Sequence, residues 1–327
     1  MHSSDHPKSN TQRTDFHSPL VLVLGGANMD ISGSTTRPLV LSDSNPGRIR
    51  CAPGGVARNV AENLARLGNT TRLLTAVGDD LYGRSLLDAT HKAGVDVGSV
   101  WVLAEEATST YLSLHGPDGD MAVAVNDMGI LDCITPGRLA PCAPWIQQAA
   151  ALVVDCNVGV PALDWVFANR GSTPVFVEAV SAFKCGRIRP WLAQVHLLKV
   201  NRLEAQALCD FGIQSDVDIE RAAQQLHTLG VEQVVLSLGE RGVYWSARNA
   251  AEGWHAALPN TVVINATGAG DALMAGLVHA FVDKQDLSTA IPFALGCAAL
   301  TVASAHANNP ELSVAAISRW LHNATPL

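Results

Sequence analysis

The chain predicts an α/β fold: a mainly parallel sheet flanked by helices on both faces, with a small antiparallel sheet beside it as a lid. Three observations carry that reading. Short continuous apolar runs alternate with segments of helical periodicity along most of the 327 residues, the pattern of strands buried on both faces and joined by helical crossovers. Glycine-rich junctions follow apolar runs, as at Gly25-Gly26 and at Gly268-Ala269-Gly270. Two stretches, 37–55 and 100–128, break the rhythm with alternating, turn-punctuated segments that lack helical spacing.

Taken in order, residues 1–18 are polar and poor in aliphatic side chains, and are expected to form a disordered tail. The folded domain is expected over 19–327. "LVLVLGG" (20–26) reads as a buried strand ending in glycines. "GGVARNVAENLARLG" (54–68) carries Val56, Val60, Leu64 and Leu67 at helical spacing and stops at Gly68. "TRLLTAVG" (71–78) is the next strand and "GRSLLDATHKAG" (83–94) the next helix. "AALVVDC" (150–156), "TPVFVEAV" (173–180), "VHLLKV" (195–200), "EQVVLSLG" (232–239) and "TVVIN" (261–265) read as further strands, mostly separated by helical patterns. The lid is expected from about 36–53 and 100–128, with a hairpin over "HGPDGD". A small sheet beside the carboxyl ends of a parallel sheet is well placed to cover a ligand.

Composition narrows the function. The chain is 48% hydrophobic and 16% charged, with a net charge of −8 and no basic block, which disfavours duplex nucleic acid as a partner. No apolar run spans a bilayer and the first twenty residues lack a signal-peptide core, so a cytoplasmic protein without a membrane segment is expected. The seven cysteines are odd in number and include no CxxC pair. They read as reduced thiols, not as zinc ligands or a disulfide framework.

Chemistry concentrates in "NATGAGDALMAGL" (265–277). Small residues let backbone amides approach an anion, and a helix start adds partial positive charge. Asp271 stands where that anion would go. On these residues alone it is either a helix cap after a tight turn or a base beside a phosphate site. "GGANMD" (25–30) lacks the G-x-G-x-x-G spacing of a dinucleotide site, which argues against a dehydrogenase.

Read together, the motifs resemble those of the ribokinase-like carbohydrate and nucleoside kinases, the PfkB family. "GGVARNVA", Gly68 and "NTTRLLTAVG" are similar to the family's N-terminal glycine signature, "TGAGDALMAGL" to its C-terminal signature, and "KVNRLEAQAL" (199–208) to its Asn-x-x-Glu segment. The resemblance covers about residues 19–322 and implies a ribokinase-like fold. It extends to the pseudouridine-phosphorylating members through "GGANMDISG" (25–33), "DSNPGRI" (43–49), "TSTYLSLHGPDGDMAVAVNDM" (108–128), "VVDCN" (153–157), "PVFVEAVSAFKC" (174–185) and "NNPELS" (308–313). The implied reaction is phosphorylation of the pseudouridine 5′-hydroxyl by ATP with Mg2+. The alternatives left standing are another sugar or nucleoside acceptor, such as ribose, fructose or adenosine, and a kinase-like binding protein without turnover. Two positions depart from the pattern. Asn265-Ala266 replaces a common Asp-Thr near the potassium site of ribokinases, which leaves K+ activation open. Glu178-Ala179 replaces an expected Asp-Pro.

The resemblance also implies roles. Asp271 is the catalytic base, and the amides of Gly268, Ala269 and Gly270 form the anion hole for the γ-phosphate. Asn28, Asp30, Gly54, Gly55, Asn59 and Asn157 face the sugar. Asn126 and Asp127 are candidates for reading the base, or mark only the end of a hairpin. Asn201, Glu204, Ser237, Gly239, Gly242, Thr267 and Asn308 line the ATP and magnesium side, with Glu204 acting on the metal through water. The lid could also pair with that of a second copy into a homodimer.

Overall fold

The computed structural model describes residues 19–259 and 261–324; the expected disordered tail over 1–18 lies outside them. Strands and helices alternate as the apolar runs require. In chain order they are β1 (Leu20–Leu24), β2 (Asn28–Thr35), β3 (Gly47–Gly54), α1 (Val56–Arg66), β4 (Thr70–Leu74), β5 (Ala76–Gly78), α2 (Leu81–Lys92), β6 (Trp101–Leu103), β7 (Thr110–His115) and β8 (Met121–Asp127). Then follow the short α3 (Pro136–Leu139) and α4 (Ala143–Gln148), β9 (Ala151–Asp155), α5 (Val160–Asn169), β10 (Val175–Glu178), β11 (Leu197–Asn201), α6 (Arg202–Cys209) and α7 (Asp216–Thr228). The chain closes with β12 (Gln233–Ser237), β13 (Val243–Ala247), β14 (Glu252–His255), α8 (Ala269–Val282), α9 (Leu287–Val302) and α10 (Val314–Ala324).

The main sheet has eight strands in the order β14-β13-β12-β11-β10-β9-β1-β4. Pairings from β12 through β4 are parallel, and β13 and β14 extend the edge antiparallel. Successive side chains of a strand point to opposite faces, so each strand feeds two cores. Leu22, Leu24, Leu152, Val154, Val177 and Leu198 pack with residues of α3 to α7. Val21, Val23, Val153, Phe176, Leu197 and Val235 pack with residues of α1, α8, α9 and α10. That two-sided burial is why the strands read as unbroken apolar runs.

The six parallel strands end together at Leu74, Leu24, Asp155, Glu178, Asn201 and Ser237. The lid stands at this carboxyl edge as a four-stranded sheet in the order β3-β2-β7-β8, antiparallel at its two outer pairings and parallel between β2 and β7. The expected hairpin over "HGPDGD" forms, closed by Gly116 N donating to Asp120 O at 2.9 Å.

Some expected elements fall elsewhere. β2 belongs to the lid although its sequence, NMDISGST, precedes the expected stretch. Residues 36–46 form no strand. β6 pairs with β5 in a separate two-stranded sheet, outside the lid. The run 261–265 is not a strand: Val262, Val263 and Ile264 are exposed, and the Ile264 and Asn265 amides donate to the Val302 carbonyl rather than to a sheet neighbour.

Candidate functional site

The loop 265–268 enters α8 at the carboxyl edge of the sheet. Asn265 Oδ1 accepts from Thr267 N at 3.0 Å, which tightens the turn. Gly268 then takes φ +83°, and a Cβ there would collide with the Ala307 carbonyl. Only glycine meets both demands. Gly268 is also the residue before the first helical turn, and no side chain caps it. Among the described residues, the first amides of this 14-residue helix therefore have no side-chain partner, which is the arrangement that receives an anion.

Asp271 is not the cap. It is the third residue of α8, 8% exposed, and its Oδ2 accepts from Asn59 Nδ2 at 2.8 Å across the α1–α8 contact. Burial pushes its carboxyl up to about 7, opposed by the Asn59 hydrogen bond and by Lys199, and reinforced by Asp155 and Asp30. A carboxyl poised near neutrality beside an open helix start is suited to exchanging a proton with a reacting hydroxyl.

The sugar-side candidates gather around it. Asn28 is buried and donates through Nδ2 to Asp30 Oδ1 at 2.6 Å. The chain at Gly54 passes so close to the Asp30 carboxylate that a Cβ would overlap it. Gly55 precedes α1, which carries Asn59 on its first turn. Asn157, two residues past β9, accepts from Lys184 Nζ at 2.6 Å.

The lid separates the two base-reading candidates. Directly paired residues lie on one face of a sheet, and Asp30 pairs with Tyr111, which pairs with Asn126. Asn126 thus shares a face with Asp30. Asp127 follows it along the strand and points the other way, onto the face of Met29 and Thr110, with its Oδ1 accepting from Gly129 N at 3.3 Å. Alternation does not let both residues read a base from the same side.

At the other end of the edge, Asn201 and Glu204 form a reciprocal cap on α6. Glu204 N donates to Asn201 Oδ1 at 3.0 Å, while Glu204 Oε2 accepts from Asn201 N at 2.7 Å and Oε1 from Asn201 Nδ2 at 2.8 Å. Ser237 is Asn201's neighbour across β11–β12, and Gly239 and Gly242 bracket the turn that follows. Thr267 lies exposed in the loop before α8. Asn308 is buried, and its side chain is bonded at both ends to α1, through Arg58 and through Asn59 O and Asn63 Oδ1. Among the described residues no three His, Cys, Asp or Glu side chains converge to enclose a metal. A single buried carboxylate beside an amide suits a hard cation that keeps its waters and is carried on phosphates.

Several residues of the site escaped the sequence reading. Asp155, fully enclosed at the end of β9, accepts from the amides of Gly26, Ala57 and Asn157 at 2.8, 3.0 and 2.9 Å and so ties three loops together. Its only signal was an acid ending an all-apolar run. Lys199 lies between Glu178, at 2.8 and 2.9 Å, and Gly270, where a Cβ would stand 2.6 Å from Nζ. Burial works against the ammonium, but Glu178 and Glu204 hold its pKa above the ordinary value. An ammonium group therefore stands behind Gly270 at the start of α8. The unexpected Glu178 is its hydrogen-bonding partner, with a carboxyl that burial pushes up to about 8 against the pull of Lys199.

Known proteins resemble this chain over most of its length. The family described as pfkB family carbohydrate kinase matches residues 18–313. Pseudouridine kinase of Escherichia coli (strain K12) is 44% identical over 304 residues, 93% of this chain and 97% of that protein. The uncharacterized sugar kinase YeiI of the same strain is 40% identical over 292 residues, 89% of this chain and 80% of the relative. Among solved structures, a carbohydrate kinase from Agrobacterium tumefaciens has a TM-score of 0.81 at 27% identity, covering 93% of this chain and 97% of that one. Arabidopsis thaliana ribokinase complexed with ribose and ATP has a TM-score of 0.83 at 20% identity, covering 93% and 99%, and shows the fold alone. The protein has a ribokinase-like fold, and the chain belongs to the pfkB family of carbohydrate kinases.

Proposed function

We propose that this chain is an ATP-dependent pseudouridine kinase, which transfers the γ-phosphoryl group of ATP to the 5′-hydroxyl of pseudouridine and yields pseudouridine 5′-phosphate and ADP. Membership of the family makes it a phosphotransferase with an alcohol acceptor. The observation that carries the chemistry is Asp271, buried with a carboxyl near neutrality at the uncapped start of α8. Support for the substrate comes from the relative named pseudouridine kinase, 44% identical over almost its whole length.

The residues divide the work. Asn28, Asp30, Asn59 and Asn157 hold the ribose with its 5′-hydroxyl toward Asp271. The Asp271 carboxylate takes the hydroxyl proton as the oxygen forms its bond to the γ-phosphorus. The bond from that phosphorus to the bridging oxygen of ADP breaks. The amides of Gly268, Ala269 and Gly270, backed by Lys199, receive the charge that develops on the transferred group. Asn201, Ser237, Gly239, Gly242 and Thr267 line the nucleotide. Magnesium bound with ATP would supply charge neutralisation at the phosphates, and Glu204 would help hold it through water. Asn308 acts on α1 in this account and not on the nucleotide. Potassium activation is not part of it, because the neutral Asn265 stands where an acid would draw the cation.

The lid face that carries Asp30, Tyr111 and Asn126 covers the nucleoside, with Asn126 reading the base. Its other face joins a second copy. Ile49, Leu112, Val123 and Val125 lie on that second face, all exposed, with Val125 at 62%. The reading also places the enzyme in the cytoplasm, and no described helix is long and apolar enough to cross a membrane.

One other acceptor class has a specific observation behind it, the 40% identity to a relative named as a sugar kinase. ATP consumption measured with pseudouridine, uridine, cytidine, adenosine, ribose and fructose separates the two. The proposal expects pseudouridine to have the highest kcat/KM; a higher value for ribose or fructose contradicts it.

A further inference from the structure

The residue before Asn59 is an arginine, 4% exposed, inside the first turn of α1. Its guanidinium forms an ion pair with Glu62 one turn on. Nε donates to Thr90 Oγ1 on α2 at 3.2 Å, and Nη1 donates to Asn308 Oδ1 at 2.9 Å and to Asn59 Oδ1 at 3.0 Å. The Pro53 carbonyl, at the base of lid strand β3, lies 3.4 Å from the same nitrogen. Asn308 closes the arrangement by donating to Asn59 O and Asn63 Oδ1, both at 2.9 Å.

A guanidinium only donates hydrogen bonds, and an ionised carboxylate only accepts them. Asn59 lies between one of each. Its amide therefore has one permitted orientation, Oδ1 toward Arg58 and Nδ2 toward Asp271 Oδ2, the latter at 2.8 Å. We propose that Arg58 is a positioning residue for phosphoryl transfer, locking the Asn59 amide so that its NH2 group faces Asp271 and favours the carboxylate over the acid. The inference rests on the reading of Asp271 as the general base.

The groups facing Asp271 show why the lock matters. Lys199 from β11 and Asn59 from α1 favour the ionised form, while burial, Asp155 from β9, Asp30 from β2 and Glu178 from β10 oppose it. Without Arg58, the Asn59 amide can turn over and offer Oδ1 to a protonated Asp271. The acid is then hydrogen-bonded as well as the carboxylate was, and the balance moves toward the inactive form.

The test is the pH dependence of kcat/KM in Arg58→Met, made alone and together with Glu62→Gln. The double variant also removes the Glu62 carboxylate charge, which Arg66 pairs at 2.6 Å as well, and serves if the single variant does not fold. Arg58→Lys and Asp271→Asn are measured alongside. We expect the acidic limb to move up by about one pH unit, so that the loss is about tenfold at low pH and small at high pH. Arg58→Lys, which keeps a charged donor, should shift it less. A loss of equal size at every pH, with the limb unmoved, is what a purely structural arginine gives and overturns the inference while leaving Asp271 as the base. Wild-type turnover in Asp271→Asn overturns the base assignment and the inference with it.

Discussion

As the proposed base, Asp271 would have two duties that pull in opposite directions. It must be buried to sit beside the anion hole, and it must be ionised to accept a proton. Its carboxyl, held near 7, is charged only above that pH. The sign follows directly: below pH 7 the base is protonated and kcat/KM falls, and above it the rate levels off. Asp271→Asn keeps the shape and the Asn59 contact but cannot take the proton. It should fold as the parent does and lose about 10²-fold or more in kcat. Wild-type turnover in a folded variant, checked by thermal unfolding, removes Asp271 from the mechanism. At the same scale, Asp30 and Asn126 share one face of the lid but are assigned different parts of the substrate. Asp30→Ala should weaken pseudouridine and uridine together, whereas Asn126→Ala should narrow the difference between them. An unchanged ratio of the two kcat/KM values in Asn126→Ala ends that residue's assigned role.

In the proposed anion-hole turn, element geometry would govern function. Gly268 combines φ +83° with close approach of the Ala307 carbonyl. Gly268→Ala adds a left-handed backbone cost of about 1–2 kcal/mol to a steric clash that has to move the loop before α10. We expect a lower melting temperature and at least about tenfold lower kcat, since misplaced amides no longer meet the transferred group. Unchanged kcat would show that the turn does not hold the phosphoryl group. This turn was legible in the sequence because glycine spacing reports backbone demands directly. The strand assigned to 261–265 was not: Val262, Val263 and Ile264 have the composition of a strand, but their exposure is set by tertiary context. β2 was missed for the converse reason, since NMDISGST sets polar residues toward the cleft and a glycine on the other face. The proposed sugar-side residues stand in short motifs of the sequence. Arg58, Asp155 and Lys199 were not legible there, because their partners lie across the fold at Asn308, Gly26 and Glu178, and one-dimensional spacing carries no trace of such contacts.

At the scale of the whole molecule, the lid has a polar face toward the cleft and an apolar face with Ile49, Leu112, Val123 and Val125 uncovered. The proposed pairing with a second copy would cover this apolar area. Val123→Asp with Val125→Asp should convert a dimer to a monomer in sedimentation, and a parent protein that sediments as a monomer contradicts the lid-to-lid pairing. The sheet, its two cores and the glycine signatures define a kinase of this family, and the acceptor is the part of the account that most needs measurement. Pseudouridine and uridine share ribose and a uracil ring, and differ in the glycosidic bond and one ring N–H. A site that bonds that N–H leaves a buried acceptor unpaired with uridine, at a cost of about 1–3 kcal/mol. The most direct measurement is a competition: equimolar pseudouridine and uridine with limiting ATP, the two 5′-phosphates separated by chromatography. The account predicts pseudouridine 5′-phosphate in excess by about tenfold or more. Equal amounts of the two products would contradict it.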